Sequence, residues 1–224
     1  MTGVTAPMRS RILWGLLAIS VVLATYKIAR AEIHRSDKRV TASVRTVANG
    51  ARFAATGIVT GDTRAPVRVV VFWDFECRYC RRFKATLDEL LARQPTSVAI
   101  VYRHFPISRV GFSVPAAIAA ECAAQQGRFD RFSELLFAAQ DTLRRLSFEV
   151  TAVSADVHDT AAFHACRADP ATRRRVDEDV RTGVELGIAA TPSVLVGNEL
   201  FAGEMRLENL EALVRHALTA RIAR

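Results

Sequence analysis

The sequence predicts an α/β fold: a strand–helix–strand unit carrying a long, mainly helical insertion, closed by a hairpin and a final helix, and preceded by an apolar N-terminal segment. Three observations predict it. Val67-Arg68-Val69-Val70-Val71-Phe72-Trp73 is a near-continuous β-branched and aromatic run, the pattern of a strand buried on both faces. An amphipathic period follows at once, and a second buried run, Ser97 to Arg103, comes after it. Short connections between a strand, a helix and a strand favour a right-handed parallel unit. Between that unit and the C-terminal strands lies a stretch whose apolar residues recur at helical spacing.

Arg9 and Arg11 precede an apolar stretch from Ile12 to Tyr26, closed by Lys27. Its length fits the apolar part of a signal peptide better than a full span, which needs about 20 residues. If Lys27 snorkels, the stretch extends to Ala29 and a tilted membrane anchor becomes feasible. Residues 1–31 are therefore expected to be a signal peptide or anchor. Lys27, Arg30, Arg35, Lys38 and Arg39 outnumber the cations before the stretch, which by the positive-inside bias would keep the remainder in the cytoplasm. The thiol chemistry below favours export, so the expected location is the cell envelope or periplasm. Residues 32–60 read as a polar linker with a short strand near Val44 to Val47, and residues 61–224 as the folded domain.

Within that domain the strand from Val67 follows the turn signal Gly61 to Pro66. The helix from about Arg78 to Arg93 aligns Phe83, Leu87, Leu90 and Leu91, and Pro95 stops it. Helices fill about 114–187, broken at Gly127 and near Pro170. Ser193 to Val196, the turn Gly197-Asn198, and Glu199 to Ala202 read as a hairpin. A final helix from about Leu207 to Arg221 places Leu210, Leu213, Val214 and Ala217 on one face.

The chain has 224 residues, a formal charge of +8 and half of its residues hydrophobic, enough for a substantial core and unlike a disordered or fibrous composition. Its cations are spread rather than gathered in a stripe, which argues against a nucleic-acid partner. The densest cluster, Arg173-Arg174-Arg175, lies in a run with Asp177, Glu178 and Asp179 and reads as a solvated helix face.

The chemistry concentrates at Cys77-Arg78-Tyr79-Cys80, at the junction of a buried strand and a helix. A thiol at a helix N-terminus meets unpaired backbone N–H groups and the positive end of the helix dipole, which favour the thiolate. Arg78, Arg81 and Arg82 add positive charge. Cys77 is the expected nucleophile, and Cys80, one turn further in, the resolving thiol. A zinc site would want a second close pair, and Cys122 and Cys166 are far apart, so neither a metal nor a cofactor is called for. Thr191-Pro192 opens a strand, where proline removes a ladder hydrogen bond; beside a Cys-x-x-Cys pair, a cis proline facing the motif accounts for it.

These residues are where the chain resembles the DsbA-like branch of the thioredoxin superfamily. The similarity runs from about Val67 to the C-terminal helix. It includes Phe72 to Cys80, Arg103-His104-Phe105-Pro106, Ala120 to Phe129 with its Gln126-Gly127-Arg128-Phe129, and Ala190-Thr191-Pro192-Ser193. It implies a thioredoxin-like fold with an inserted helical domain, Cys77 as the attacking thiol, and Thr191, Pro192, Arg78 and Tyr79 around it. Two positions depart from the family. Arg78 stands where proline is common, and Val71 where an acid often lies beneath the cysteine pair; Asp74 and Glu76 are imperfect substitutes. Arg78 is expected to favour the thiolate and make the pair more oxidising.

Cys122 and Cys166 are either two packed thiols or a second disulfide. His104 and the His164-Ala165-Cys166 run are the histidine positions of interest, with packing or surface roles favoured over a metal. The expected activity is disulfide exchange with exported cysteine-containing proteins, recycled by a membrane redox partner. The alternatives are a reductase or isomerase fed by a membrane electron carrier, and a periplasmic Cu(I)-binding chaperone using the same two thiols.

Overall fold

Alternation along one strand sets the two faces of the protein. In a computed structural model, which describes residues 21–27, 44–108 and 111–222, β3 (Val67–Trp73) is the central strand. Val67, Val69, Val71 and Trp73 enter one buried cluster and Val70 and Phe72 the other, as period-2 side chains on a doubly covered strand must. The sheet has six strands in the order β1-β6-β5-β3-β4-β2. Besides β3 these are β1 (Val44–Thr46), β2 (Ile58–Gly61), β4 (Val98–His104), β5 (Ser193–Val196) and β6 (Glu199–Ala202). β3 and β4 are parallel and joined by α1 (Arg78–Arg93); the other pairings are antiparallel.

On the first face, α1 buries Phe83, Leu87 and Leu90, and α7 (Leu207–Ile222) adds Leu210 and Val214. Each such side chain contributes roughly 1.5–3 kcal/mol of transfer free energy. The insertion comprises α2 (Ser113–Ala124), α3 (Phe129–Ala138), α4 (Phe148–Ser154), α5 (Thr160–Ala168) and α6 (Pro170–Glu185). Gly127, at φ 68°, ends α2 in the left-handed region and lets the Arg128 N–H reach the Ala123 carbonyl at 2.9 Å. Phe129 then packs on Trp73 and Tyr102. Cys122 and Cys166 are joined by a disulfide, with Cα atoms 5.8 Å apart, tying α2 to α5.

Helix α6 covers the other face and departs from the solvated reading. Arg173, Arg174 and Arg175 are exposed, but Asp179 is buried. Val176, Asp179 and Gly183 share one helical face. A Cβ at Gly183 would lie 2.4 Å from the Phe105 ring, so only glycine admits this approach. Asp179 accepts hydrogen bonds from Arg103 Nε at 2.6 Å and the His104 N–H at 2.8 Å, which explains how a carboxylate tolerates the interior.

By contacts the chain divides into Met1–Thr41 and Ala42–Arg224. In the first unit residues 21–27 are helical; the remainder of the expected signal or anchor segment lies outside the described residues. Among the described residues no helix is long and apolar enough to cross a membrane. Within residues 32–60, read as a linker with a short strand near Val44 to Val47, the sheet takes up that strand as β1 and also gains β2, with a 3-10 turn at Gly50–Ala54 between them. Both strands are edge pieces of three and four residues, too short to show alternation.

Candidate functional site

β3 ends at Trp73, and the chain turns so that the Cys77 N–H reaches the Asp74 carbonyl at 3.1 Å. Cys77 becomes the N-cap of α1, half-exposed, and Cys80, one turn in, is 1% exposed. The loop is held from both sides. Asp74 accepts from the N–H groups of Glu76 at 2.8 Å and Ile107 at 3.0 Å. Glu76 accepts from the Phe112 and Ser113 N–H groups and the Ser113 hydroxyl, so it satisfies the open N-terminus of α2. Gln140 donates to the Phe75 carbonyl at 2.7 Å. The helical insertion therefore fixes the turn that presents Cys77.

The two sulfurs differ in electrostatics. The Cys77 thiol is pulled from 9.0 down to about 6. The largest cause is the hydrogen bond from the Cys80 thiol; Thr191 and the N–H groups of Cys80 and Tyr79 add to it, against the opposing effect of burial. In its neutral form Cys77 donates to the Thr191 carbonyl at 3.2 Å. Cys80 is pushed far up, first by burial and then by the Cys77 charge, and stays a thiol. Its sulfur accepts from the Asp74 N–H at 3.5 Å.

Thr191-Pro192 is cis and lies against the pair. The Pro192 carbonyl accepts from the Gly203 N–H at 2.7 Å, where β6 ends. Arg78 and Tyr79 lie on the exposed rim, and the Arg78 guanidinium sits 5.1 Å over the Tyr79 ring. The stabilisation of the Cys77 thiolate thus comes chiefly from groups other than the expected Arg78.

Val71, at the position where relatives often carry an acid, is fully buried among apolar neighbours. The titratable groups near this sheet end are elsewhere. His104, opposite Trp73 in register, lies 3.4 Å from Glu121, and its ring is 6.0 Å from that of Phe75. Glu121 precedes Cys122, so the Ala120 to Phe129 run pins the insertion through the Glu121–His104 contact, a disulfide and an aromatic contact. Sequence reasoning missed Glu204, which grips Arg82 through both carboxylate oxygens. His164 is exposed in α5, beside Glu149, and Cys122 and Cys166 take no part in the Cys77 site.

The family model described as thioredoxin matches residues 54–216, from the end of the 3-10 turn before β2 into α7. The chain belongs to the thioredoxin family. A thioredoxin-like oxidoreductase from Silicibacter pomeroyi superimposes with a TM-score of 0.66 at 28% identity, over 72% of this chain and 91% of that one. The α-DsbA1 protein of Wolbachia pipientis shares the fold at a TM-score of 0.67 and 18% identity, over 78% and 98% of the two chains. The fold is thus that of DsbA-like thiol–disulfide oxidoreductases, with the cysteine pair in place. Among curated relatives, the Na+/H+ antiporter NhaA 3 of Salinispora tropica is 36% identical over 163 residues. The match takes in 72% of this chain, but the chain spans about a quarter of that protein's length.

Proposed function

We propose that this protein is an exported disulfide oxidase, which passes the Cys77–Cys80 disulfide to proteins carrying paired cysteines. The observation that carries the reading is the asymmetry of the two thiols: an accessible Cys77 near pKa 6 above a buried Cys80 held as a thiol. A client thiolate attacks the Cys77 sulfur of the disulfide, forms a mixed disulfide, and releases Cys80, which takes up a proton. The client's second thiolate then attacks the client sulfur and expels Cys77 as a thiolate. The client leaves with a disulfide, and the two electrons remain on Cys77 and Cys80. A stabilised leaving thiolate speeds the second step and favours the reduced protein, which is the oxidising direction. Reoxidation falls to a membrane redox partner in this reading.

Export is supported by the Cys122–Cys166 disulfide, since such bonds persist in oxidising compartments. A Cu(I)-chaperone role is disfavoured, because no methionine or histidine lies near Cys77 and Cys80 in the sequence to complete a soft site. The test is oxidation of a reduced, cysteine-paired client by the oxidised protein. Loss of two client thiols per Cys77–Cys80 pair, abolished by Cys77→Ser, is expected. Electron flow only towards client disulfides would reverse the assigned direction, and tight Cu(I) binding without exchange would replace the reading.

A further inference from the structure

We propose that Arg78 is a specificity-determining residue, selecting client cysteines that have an acidic residue within two positions of the reacting sulfur. The proposal rests on the oxidoreductase reading and names a substrate class for it.

The first observation is how charge is committed around Cys77. Arg81 pairs with Asp141 at 3.1 Å, Arg82 with Glu204, and Arg144 with Glu76 at 3.8 Å. The Asp74 carboxylate is occupied by two backbone N–H groups, and Glu76 by the start of α2. Arg78 follows Cys77 directly, is exposed, and has no carboxylate partner among the described residues. Its charge is open to a visiting group.

The second observation is that this guanidinium is held in place. One of its terminal nitrogens donates to the Tyr79 hydroxyl at 3.2 Å, and its carbon lies 5.1 Å over the ring. Arg82 lies 4.8 Å from the same ring and is gripped by Glu204. Glu204 follows Gly203, whose N–H pairs with the Pro192 carbonyl. The stack Arg78–Tyr79–Arg82–Glu204 is thereby anchored to the segment that faces Cys77. A planar fork ordered before binding loses less entropy on gripping a carboxylate than a free side chain does.

The third observation is that the Cys77 thiolate does not depend chiefly on this cation. The Cys80 thiol, Thr191 and two backbone N–H groups hold its charge. Reach is consistent. In the mixed disulfide the client sulfur is bonded to Cys77 at about 2.05 Å. Neighbouring residues of an extended client lie roughly 3.3–3.6 Å apart along the chain. A carboxylate one or two positions from the client cysteine therefore comes beside the residue that follows Cys77.

The preference should show in competition for Cys77. The full chain carrying Cys80→Ala is reduced and offered an equimolar pair of peptides, identical except for Glu or Lys two positions from a single cysteine blocked by mercaptoethanol. The Cys77 thiolate attacks the peptide sulfur, the peptide–mercaptoethanol bond breaks, and mercaptoethanol leaves as a thiolate that takes a proton from water. One disulfide replaces another, with no net electron transfer. Acid-quenched adducts are counted by mass. Because both peptides meet the same thiolate, the ratio cancels any change in Cys77 ionisation.

An exposed ion pair predicts a Glu:Lys ratio of about two to five. Arg78→Gln should bring it near one, Arg78→Glu should invert it, Arg78→Lys should keep part of it, and high salt should shrink it. The same ratio with and without the Arg78→Gln substitution would overturn the proposal, as would a ratio indifferent to salt. Should Arg78→Gln lose adducts altogether, the Arg78→Lys chain and the salt titration still decide. Adducts formed without discrimination would remove this proposal alone. No adducts from either peptide would remove the oxidoreductase reading and this proposal with it.

Discussion

Replacing Cys80 by Ala removes the group that contributes most to the Cys77 thiolate. A hydrogen bond to a charged acceptor is worth about 1.5–3 kcal/mol. At 1.36 kcal/mol per pH unit, that moves the titration midpoint by about one to two pH units. Water around a half-exposed sulfur screens the interaction, so the lower figure applies and Cys77 should titrate near pH 7, against about 6 in the parent. At pH 6 the thiolate fraction then falls from about one half to about one tenth. The assay is pseudo-first-order alkylation by iodoacetamide between pH 4 and 10, each profile scaled to its own plateau. Scaling matters because a more basic thiolate is intrinsically more nucleophilic, and raw rates would mask part of the change. A midpoint unmoved by Cys80→Ala would refute the assignment of the Cys80 thiol as principal donor. A parent midpoint above pH 8 would refute the activated nucleophile itself.

The same depressed pKa makes the reduced protein's stability depend on pH. The contribution is full above the unfolded thiol's value, near 9, and is lost as pH falls through about 6, so reduced-minus-oxidised stability should grow from pH 5 to 9 in urea melts. Replacing Cys122 and Cys166 by Ser opens a link across 44 residues; the chain-entropy relation assigns it about 4 kcal/mol, measurable by the same melts, with disulfide exchange at Cys77 retained. Asp179→Ala leaves Arg103 charged and unpaired in the interior and should cost about 3–5 kcal/mol, whereas exposed Glu178→Ala should stay within about 0.5 kcal/mol. An alkaline phosphatase fused after Arg64 should be active only if the chain is exported, and a silent fusion would count against the envelope location.

The central strand, α1 and the cysteine pair were legible because each carries a strong local signal: six strand formers in a run of seven, a clean apolar stripe, and two thiols one turn apart. Pro192 was legible only in company, since its meaning comes from the pair it faces. Asp179 was hidden by its neighbours. A mixed-charge run looks solvated until the helical phase is set by Val176 and Gly183, which depends on where β4 lies. β2 was hidden by brevity, whereas β1 matches the short strand expected near Val44 to Val47. The roles of Glu76 and Glu204 were invisible for a different reason: each acts on a group 36 or more residues away, and no local pattern records such a pairing.

The division of labour between Cys77 and Cys80 is tested most directly by trapping. Oxidised or blocked client proteins are mixed with the reduced Cys80→Ala and Cys77→Ala chains, and the disulfide-linked peptides are mapped by mass spectrometry after alkylation. The structure predicts client adducts on Cys77 in the first chain, stable until reductant is added, and none in the second, where the remaining Cys80 is buried and protonated. Adducts forming on Cys80 as readily as on Cys77 would contradict the account.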